Sequence, residues 1–590
     1  KNLGGEYGLE QVSARRVILI SCLVMLLQAV IIYLFKRKDK DIAPFQRIGI
    51  FAAFCCLSFF GLISSFSWAY FAACCLGLVI FAIYAAKGYD AAGLDRAGCS
   101  EIKQALCGKR RGERFAFAAA LIMAAAFFAF ISLWTVMRVK SLSTPTYDFG
   151  IFAQMFHNMR SGGLPMTTLE RDGLMPHFFV HVSPVYYILL PFYMIFPLPE
   201  TLQIAQAAVM ASAAVPLYLI CKRCGMRPAA IVMICGAFLL YPAFAGGAAY
   251  DIHENCFLTP LILWTFYGLE SGRASCLYTA AILTLTVKED AAVYIAVIGL
   301  YAAVKGLIIK DRNGLRKGAV LFAVSAVWFI CVTRFLALAG DGVMTNRYEN
   351  LMPGGAGSLL SVIKALITHP MKVLYECIDT EKLAFIGFTL LPLLGLPLMT
   401  RKYERYILLI PYVLVNLMPD YTYQHDIFFQ YTFGSLAFLF YLTVINLQDL
   451  KDRNVKHALC TVSLIACAVL FFTSVVPKAR YYTEKYADSR EYYDEARELL
   501  SDIPEEASAA ATSFLTVYLS KREVLYDIKH ASRDHVLSCE YIILSPDDAS
   551  SYKKYASGGE DGFECFKSML EANGYHEVKR LNDSLIIYRR

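Results

Sequence analysis

The stretch FAFAAALIMAAAFFAFISLWTVM at residues 115–137, followed closely by TPTYDFG at residues 144–150, sets the reading of the whole chain. The first part carries no charge and is long enough to cross a hydrocarbon core of ~30 Å as a helix. Such a helix satisfies its own backbone polar groups in lipid, which irregular chain cannot do. The second part opens a polar loop and puts a carboxylate, Asp148, where the chain leaves the membrane.

Runs of this kind recur along the chain. Its 590 residues are 57% hydrophobic and 18% charged, with a mean hydropathy of +0.47, the composition of an integral membrane protein. Apolar spans are expected at 17–35, 47–65, 68–86, 114–137, 200–220, 228–248, 256–269, 274–287, 290–308, 318–338, 379–399, 405–419, 430–447 and 457–475, about fourteen in all. Segment 178–198 is also apolar, but Pro184, Pro191 and Pro197 interrupt it, so a re-entrant or surface-lying segment is expected there. The expected fold class is an all-α polytopic membrane protein with a small C-terminal α/β domain.

The net charge of +7 does not signal a nucleic-acid partner, because the Lys and Arg residues sit in short loops between spans. Lys36 to Lys38, Lys109 to Arg111, Lys222-Arg223, Arg273, Lys310 to Lys317, Arg401 to Arg405 and Lys451 to Lys456 all fall on one side if fourteen spans are counted. The positive-inside rule makes that side cytoplasmic. The extracytoplasmic face then receives loops 138–199 and 339–378, Tyr250 to Asn255, Lys288 to Asp290, Asp420 to Gln430 and everything from residue 477. Most cysteines lie inside apolar runs, where they act as small hydrophobes, and none shows zinc-like spacing. No secretory n-region, h-region and cleavage pattern opens the chain, so no cleaved signal peptide is expected.

Three domains are expected: 1–112 with additional N-terminal spans and a basic loop, 113–476 as the membrane core, and 477–590 as a soluble extracytoplasmic domain. In the last, Tyr481 to Leu500 and Gly562 to Asn573 read as helices, and Tyr541 to Leu544 and Leu585 to Tyr588 as strands. Its polar residues have no tight nucleophile or metal spacing, so it reads as an accessory binding domain or lid.

Polar residues gather at the span ends of the external face. Asp148 can deprotonate an acceptor hydroxyl or hold a divalent cation beside a phosphate; the plainer alternative is an N-cap for a helix over 149–159. His177 and His181 are four apart and share a face if helical, ready to bond a phosphate or orient Asp148. His253 and Glu254 lie at a span end, where burial would be costly without a function. In Lys288-Glu289-Asp290 the lysine suits a phosphate and the acids a sugar hydroxyl or cation, while a tight turn is the plain reading. Asp420, Gln424 and His425 add more polarity than an aromatic belt needs.

These residues carry a family resemblance. Tyr147-Asp148-Phe149-Gly150-Ile151-Phe152, then His177-Phe178 and Ser183-Pro184, Lys288-Glu289-Asp290 and Gln424-His425 resemble the DUF2079 family of bacterial and archaeal membrane proteins over roughly residues 114–545. That family is related to the GT-C glycosyltransferases, so the resemblance implies a GT-C-like fold. It also implies an enzyme of the glycosyltransferase class (EC 2.4) that takes a sugar from a polyprenyl-phosphate donor, with Asp148 in the catalytic role. GT-C patterns often pair two acids; here Tyr147 and Phe149 flank Asp148, and Glu170 and Asp172 are the candidate substitutes as metal ligands for Mg2+ or Mn2+.

The expected chemistry joins the two lines. Asp148, His181 and Glu289 form the catalytic set, and Tyr147, His177, His253, Glu254, Lys288, Asp290, Asp420, Gln424 and His425 the substrate-binding set. The partners are the bilayer of the cell membrane, a polyprenyl-phosphate sugar donor, and a glycan, lipid or protein acceptor, with no nucleic acid. The rival readings are a multi-span transporter, which should show internal repeats, and a non-enzymatic scaffold or sensor with an external binding domain.

Overall fold

The computed structural model describes residues 47, 49–55, 58, 67–91, 102–340, 346–352, 359–556 and 561–590. The expected span 17–35 and most of 47–65 lie outside the described residues. Among those residues, six helices are long and apolar enough to cross a membrane: Arg111–Lys140, Pro199–Arg223, Ala291–Ile308, Arg312–Ala339, Gln430–Asp449 and Arg453–Asp488. A seventh candidate is the pair Pro228–Leu239 and Pro242–Ala248, bent by 48° where Pro242 starts the second helix.

The expectation of about fourteen spans is thereby corrected. Leu258–Ser271 has 14 residues and Ala274–Leu285 has 12, so at ~1.5 Å per residue each falls well short of a ~30 Å core. The expected span 379–399 is the helix Thr380–Leu390, a turn with Leu394 and Gly395 at positive φ, and the 3-10 turn Leu396–Leu398. The expected span 405–419 divides into Tyr403–Leu409 and Tyr412–Leu417, in 3-10 and π geometry on either side of Pro411. Segment 178–198 forms only short helices whose Phe192, Ile195 and Phe196 side chains are exposed.

Packing follows burial. Gln430–Asp449 is the central helix, 94% of its most apolar window being buried, whereas Arg312–Ala339 and Arg111–Lys140 lie at the periphery with 22% and 28% buried. Their outward side chains, such as Ile122, Leu133, Val327 and Leu338, are apolar, which is the pattern of helices solvated by lipid. The basic loops meet at one end of the bundle. Lys222 pairs with Glu113 at 3.0 Å, Lys305 with Glu270 at 3.4 Å, and Lys402 and Arg405 with Asp449 at 2.9 and 2.8 Å.

At the other end stands the C-terminal domain. Its sheet has, in spatial order, β4 (Leu525–Asp527), β3 (Ala509–Ala511), β5 (Tyr541–Leu544), β7 (Leu585–Arg589) and β6 (His576–Leu581), the first three parallel. β7 and β6 are antiparallel to their neighbours. Side chains alternate along a strand, and here the alternation separates two cores. Ala510, Ile542, Leu544 and Ile586 pack with Phe566 and Leu570 of the helix Gly562–Ala572. Ala509, Ala511, Ile543 and Ile587 join the large core that continues into the membrane bundle. The sheet is therefore covered on both faces and fastened to the helices beneath it.

A short ribbon of β1 (Met166–Thr167) and β2 (Met175–Pro176) lies in the loop after the first long span. That loop meets the domain through polar contacts. Thr146 Oγ1 donates to Asp527 Oδ2 at 2.5 Å, Thr168 Oγ1 donates to the Leu525 carbonyl at 2.5 Å, and Gln154 Nε2 donates to the Arg522 and Glu523 carbonyls. Gly150 is required by this approach, since a Cβ there would sit 2.8 Å from Thr516 Oγ1.

Candidate active site

Asp148 owes its place on the cavity wall to the way the chain restarts. After the span ends at Lys140, one π-type turn, Thr146–Gly150, precedes the helix Ile151–Gly162. Gly150 is the N-cap of that helix and no side chain caps it. The cap role is thus not the one Asp148 plays, and its carboxylate faces a cavity of about 840 Å³. Tyr147, Glu170, His177, His181, His253, Lys288 and Asp420 line the same cavity. Burial, together with the carboxylates of Asp251 and Glu254, pushes Asp148 up to about 7, against the pull of Lys288 and a hydrogen bond from Tyr250.

Carboxylates orient two of the imidazoles. His177 Nδ1 donates to Glu170 Oε2 at 2.7 Å, leaving His177 Nε2 buried and without a protein partner. Despite burial, Glu170 raises His177 above its ordinary value. His181 Nδ1 bonds Glu289 Oε1 at 2.9 Å, and despite burial the His181 ring and Lys288 hold Glu289 down at about 2. The third imidazole differs: burial pushes His253 down to about 3, against the pull of Glu254. A carboxylate bonded to one ring nitrogen leaves the other directed and ready to bond substrate.

Glu254 lies behind this wall as an anionic hub. It is fully buried, accepts the Tyr186 hydroxyl at 2.5 Å, and pairs with Lys288 at 3.3 Å, with His253 Nδ1 3.2 Å away. A second buried pair, Arg138 with Asp251 at 3.0 Å, forms another wall, with Asp251 Oδ2 left unbonded. Buried charges survive only when paired and hydrogen-bonded, so this end of the bundle maintains charge at a cost.

A second chamber of about 270 Å³ adjoins the first and shares His181, Lys288 and Arg347 with it. Glu289, Asp290 and Gln424 open onto this chamber, whose other walls include Val293, Phe329, Val362, Leu366 and Leu414. One side is therefore charged and the rest aliphatic or aromatic. Three expected residues line neither chamber: Glu254 lies behind the wall, His425 faces Glu381 at 3.5 Å, and Asp172 is bonded to His535 of the C-terminal domain at 2.6 Å. Gln424 anchors backbone, donating to the Val415 carbonyl at 2.9 Å.

The expected metal set does not converge. Glu170 is engaged by His177 and Asp172 by His535 and the Ser532 N–H, and only Asp148 and Glu170 share the cavity. Among the described residues no group of three His, Cys, Asp or Glu could hold a metal ion. These residues do not fit the divalent cation that the resemblance implied.

Sequence reasoning missed Arg138, Tyr250, Asp251, Arg171 and Arg347, all of which line the cavity. Arg138 is in the last turn of its helix, where it reads as a topology signal. Asp251 stands two residues from His253, and its neighbourhood was the available signal.

The chain belongs to the family described as "Predicted membrane protein (DUF2079)", whose model matches residues 138–570. It is also similar to two solved structures of ArnT from Cupriavidus metallidurans. The one bound to undecaprenyl phosphate shares 12% identity at a TM-score of 0.48, covering 79% of this chain and 97% of that one. The apo form shares 13% identity at a TM-score of 0.45, covering 78% and 97%. No curated protein matches the chain.

Proposed function

We propose that this member of the DUF2079 family is a membrane glycosyltransferase that moves a sugar from a polyprenyl-phosphate donor to an acceptor hydroxyl, with Asp148 as general base. One observation carries the reading: a carboxylate free of capping duty and raised to about 7 opens onto a polar cavity that shares His181, Lys288 and Arg347 with an apolar chamber. A lipid phosphate has the matching form, with an anionic head for the shared cations and an apolar tail for the chamber beyond. The gathering of basic loops at the opposite end of the bundle supports an extracytoplasmic site.

In the reaction, Asp148 takes the acceptor O–H proton as the oxygen attacks the anomeric carbon. The bond from that carbon to the phosphate oxygen breaks, and its electron pair leaves with the phosphate. Lys288 and Arg347 offset the growing charge there, and His181, held by Glu289, donates toward it. Direct displacement inverts the anomeric centre. His177 Nε2 and Asp251 Oδ2, both lacking protein partners, are the groups for sugar hydroxyls.

The test is transfer from a panel of undecaprenyl-phosphate sugars by purified full-length protein. Asp148→Asn is expected to lower turnover by about 10²- to 10⁴-fold while leaving the folded yield unchanged. Solute flux into proteoliposomes, with no turnover of any lipid donor, would move the reading to transport.

A further inference from the structure

The cavity around Asp148 does not end at the membrane core. Tyr147, Glu170 and Arg171 line both it and a passage of about 170 Å³, which runs between the loop 168–172 and Asp527, His530 and Ala531 of the C-terminal domain. Asp172, His530 and Ala531 in turn line both the passage and a groove of about 920 Å³ on that domain. The Tyr147 ring meets the His530 ring edge-on, centroids 4.4 Å apart, where cavity and passage join the groove. Tyr147, the residue before the proposed base, thus stands where the cavity adjoins the passage, and His530 where the passage adjoins the groove.

The chemistry of the groove is one-sided. Lys529, Arg533 and Lys554 line it, and among the described residues none of the three is in an ion pair. Lys554 is held in place by donating to the Ala531 carbonyl, with two further N–H groups to offer. Among the described residues the one carboxylate in the lining, Asp172, is already engaged by His535 Nδ1 and the Ser532 N–H. Unpaired cations in a concave site attract and hold anions. Beside them, Ser568 and Asn573 supply short polar groups that can hydrogen-bond to sugar hydroxyls, and Tyr555, packed on Phe566, places its ring under Lys554 Nζ at 5.1 Å.

We propose that this groove binds an acidic saccharide, one carrying carboxylate or phosphate groups, and that the passage leads its hydroxyl to Asp148. The binding stands on the groove alone; the role of the bound saccharide as acceptor rests on the glycosyltransferase reading. The narrow passage fits an extended chain, and the wide groove beyond it fits several sugar units.

Isothermal titration of the full chain in detergent tests the inference with three probes: tetragalacturonic acid, neutral maltotetraose and tetraglutamate. Saturable binding is expected for tetragalacturonic acid, at least tenfold weaker for the other two. The exposed double variant Lys529→Ser/Arg533→Ser should weaken it at least tenfold, and Lys402→Ala, exposed at the opposite end of the bundle, should leave it unchanged. Absence of saturable binding, or binding that ignores the double variant, overturns the proposal. Equal binding of tetraglutamate also overturns it, in favour of an acidic-peptide site. Tetragalacturonate binding without sugar transfer from any lipid donor would remove the transferase reading and leave the saccharide site standing.

Discussion

The two ends of the helical bundle use charge in opposite ways. At the basic end, Lys402 and Asp449 pair with side chains 53% and 38% exposed; at the site end, Lys288 and Glu254 pair at 4% and 0%. Exposed pairs are screened by water and contribute little beyond setting topology. Buried pairs cost several kcal/mol of desolvation per ion, repaid only by close geometry and further hydrogen bonds. Fully buried pairs mark the end where chemistry is proposed, whereas at the end that orients the chain each pair keeps at least one partner partly exposed, buried Arg405 facing the partly exposed Asp449.

Breaking the buried side of this contrast should have the largest effect. Lys288→Met leaves Glu254 in the core without its cation and is expected to cost about 3–5 kcal/mol, read as unfolding in a denaturing-detergent titration. A loss no larger than that of a surface pair would erase the contrast.

The next effect depends on pH. The folded-state value of about 7 for Asp148 lies above its ordinary carboxylate value of ~3.9, so folding favours the protonated form. That contribution is complete below pH ~4 and is lost as pH rises through about 7. Melting temperatures measured from pH 4 to 8 should therefore fall less in Asp148→Asn than in the wild type. Identical curves would show that burial does not raise this carboxyl.

Thr146→Val probes the seam between the loop and the sheet. It removes one donor to the buried Asp527 and should cost about 1–3 kcal/mol, with a drop in sugar transfer because Asp148 is two residues away. Smallest of all, Lys402→Ala at the basic end should change stability by less than about 1 kcal/mol. A larger change there would mean that the exposed pairs also hold the bundle together.

Much of the site was legible because its residues punctuate apolar runs. Asp148, His177, His181, His253 and Lys288 all follow or precede such runs, and the fold brings them to one cavity. What a linear reading lacks is partnership. Arg138 looks like any cation ending a span until the fold sets it against Asp251, and His425 looks like its neighbours until it turns toward Glu381. The span count failed for a different reason. Hydropathy windows register apolarity but not the turn at Leu394 and Gly395 or the break around Pro411. In the C-terminal domain, the strands at Tyr541 and Leu585 show their β-branched and aromatic residues, whereas β3 is three alanines and reads more readily as helix.

The central claim is that Asp148 removes the acceptor proton, and the pH dependence of sugar transfer tests it most directly. With an undecaprenyl-phosphate sugar as donor, turnover of the wild type should rise to half its maximum near pH 7, where Asp148 loses its proton. In Asp148→Asn that rise should vanish, with turnover about 10²- to 10⁴-fold lower across the range. A variant that keeps the wild-type rate and its rise near pH 7 would contradict the account.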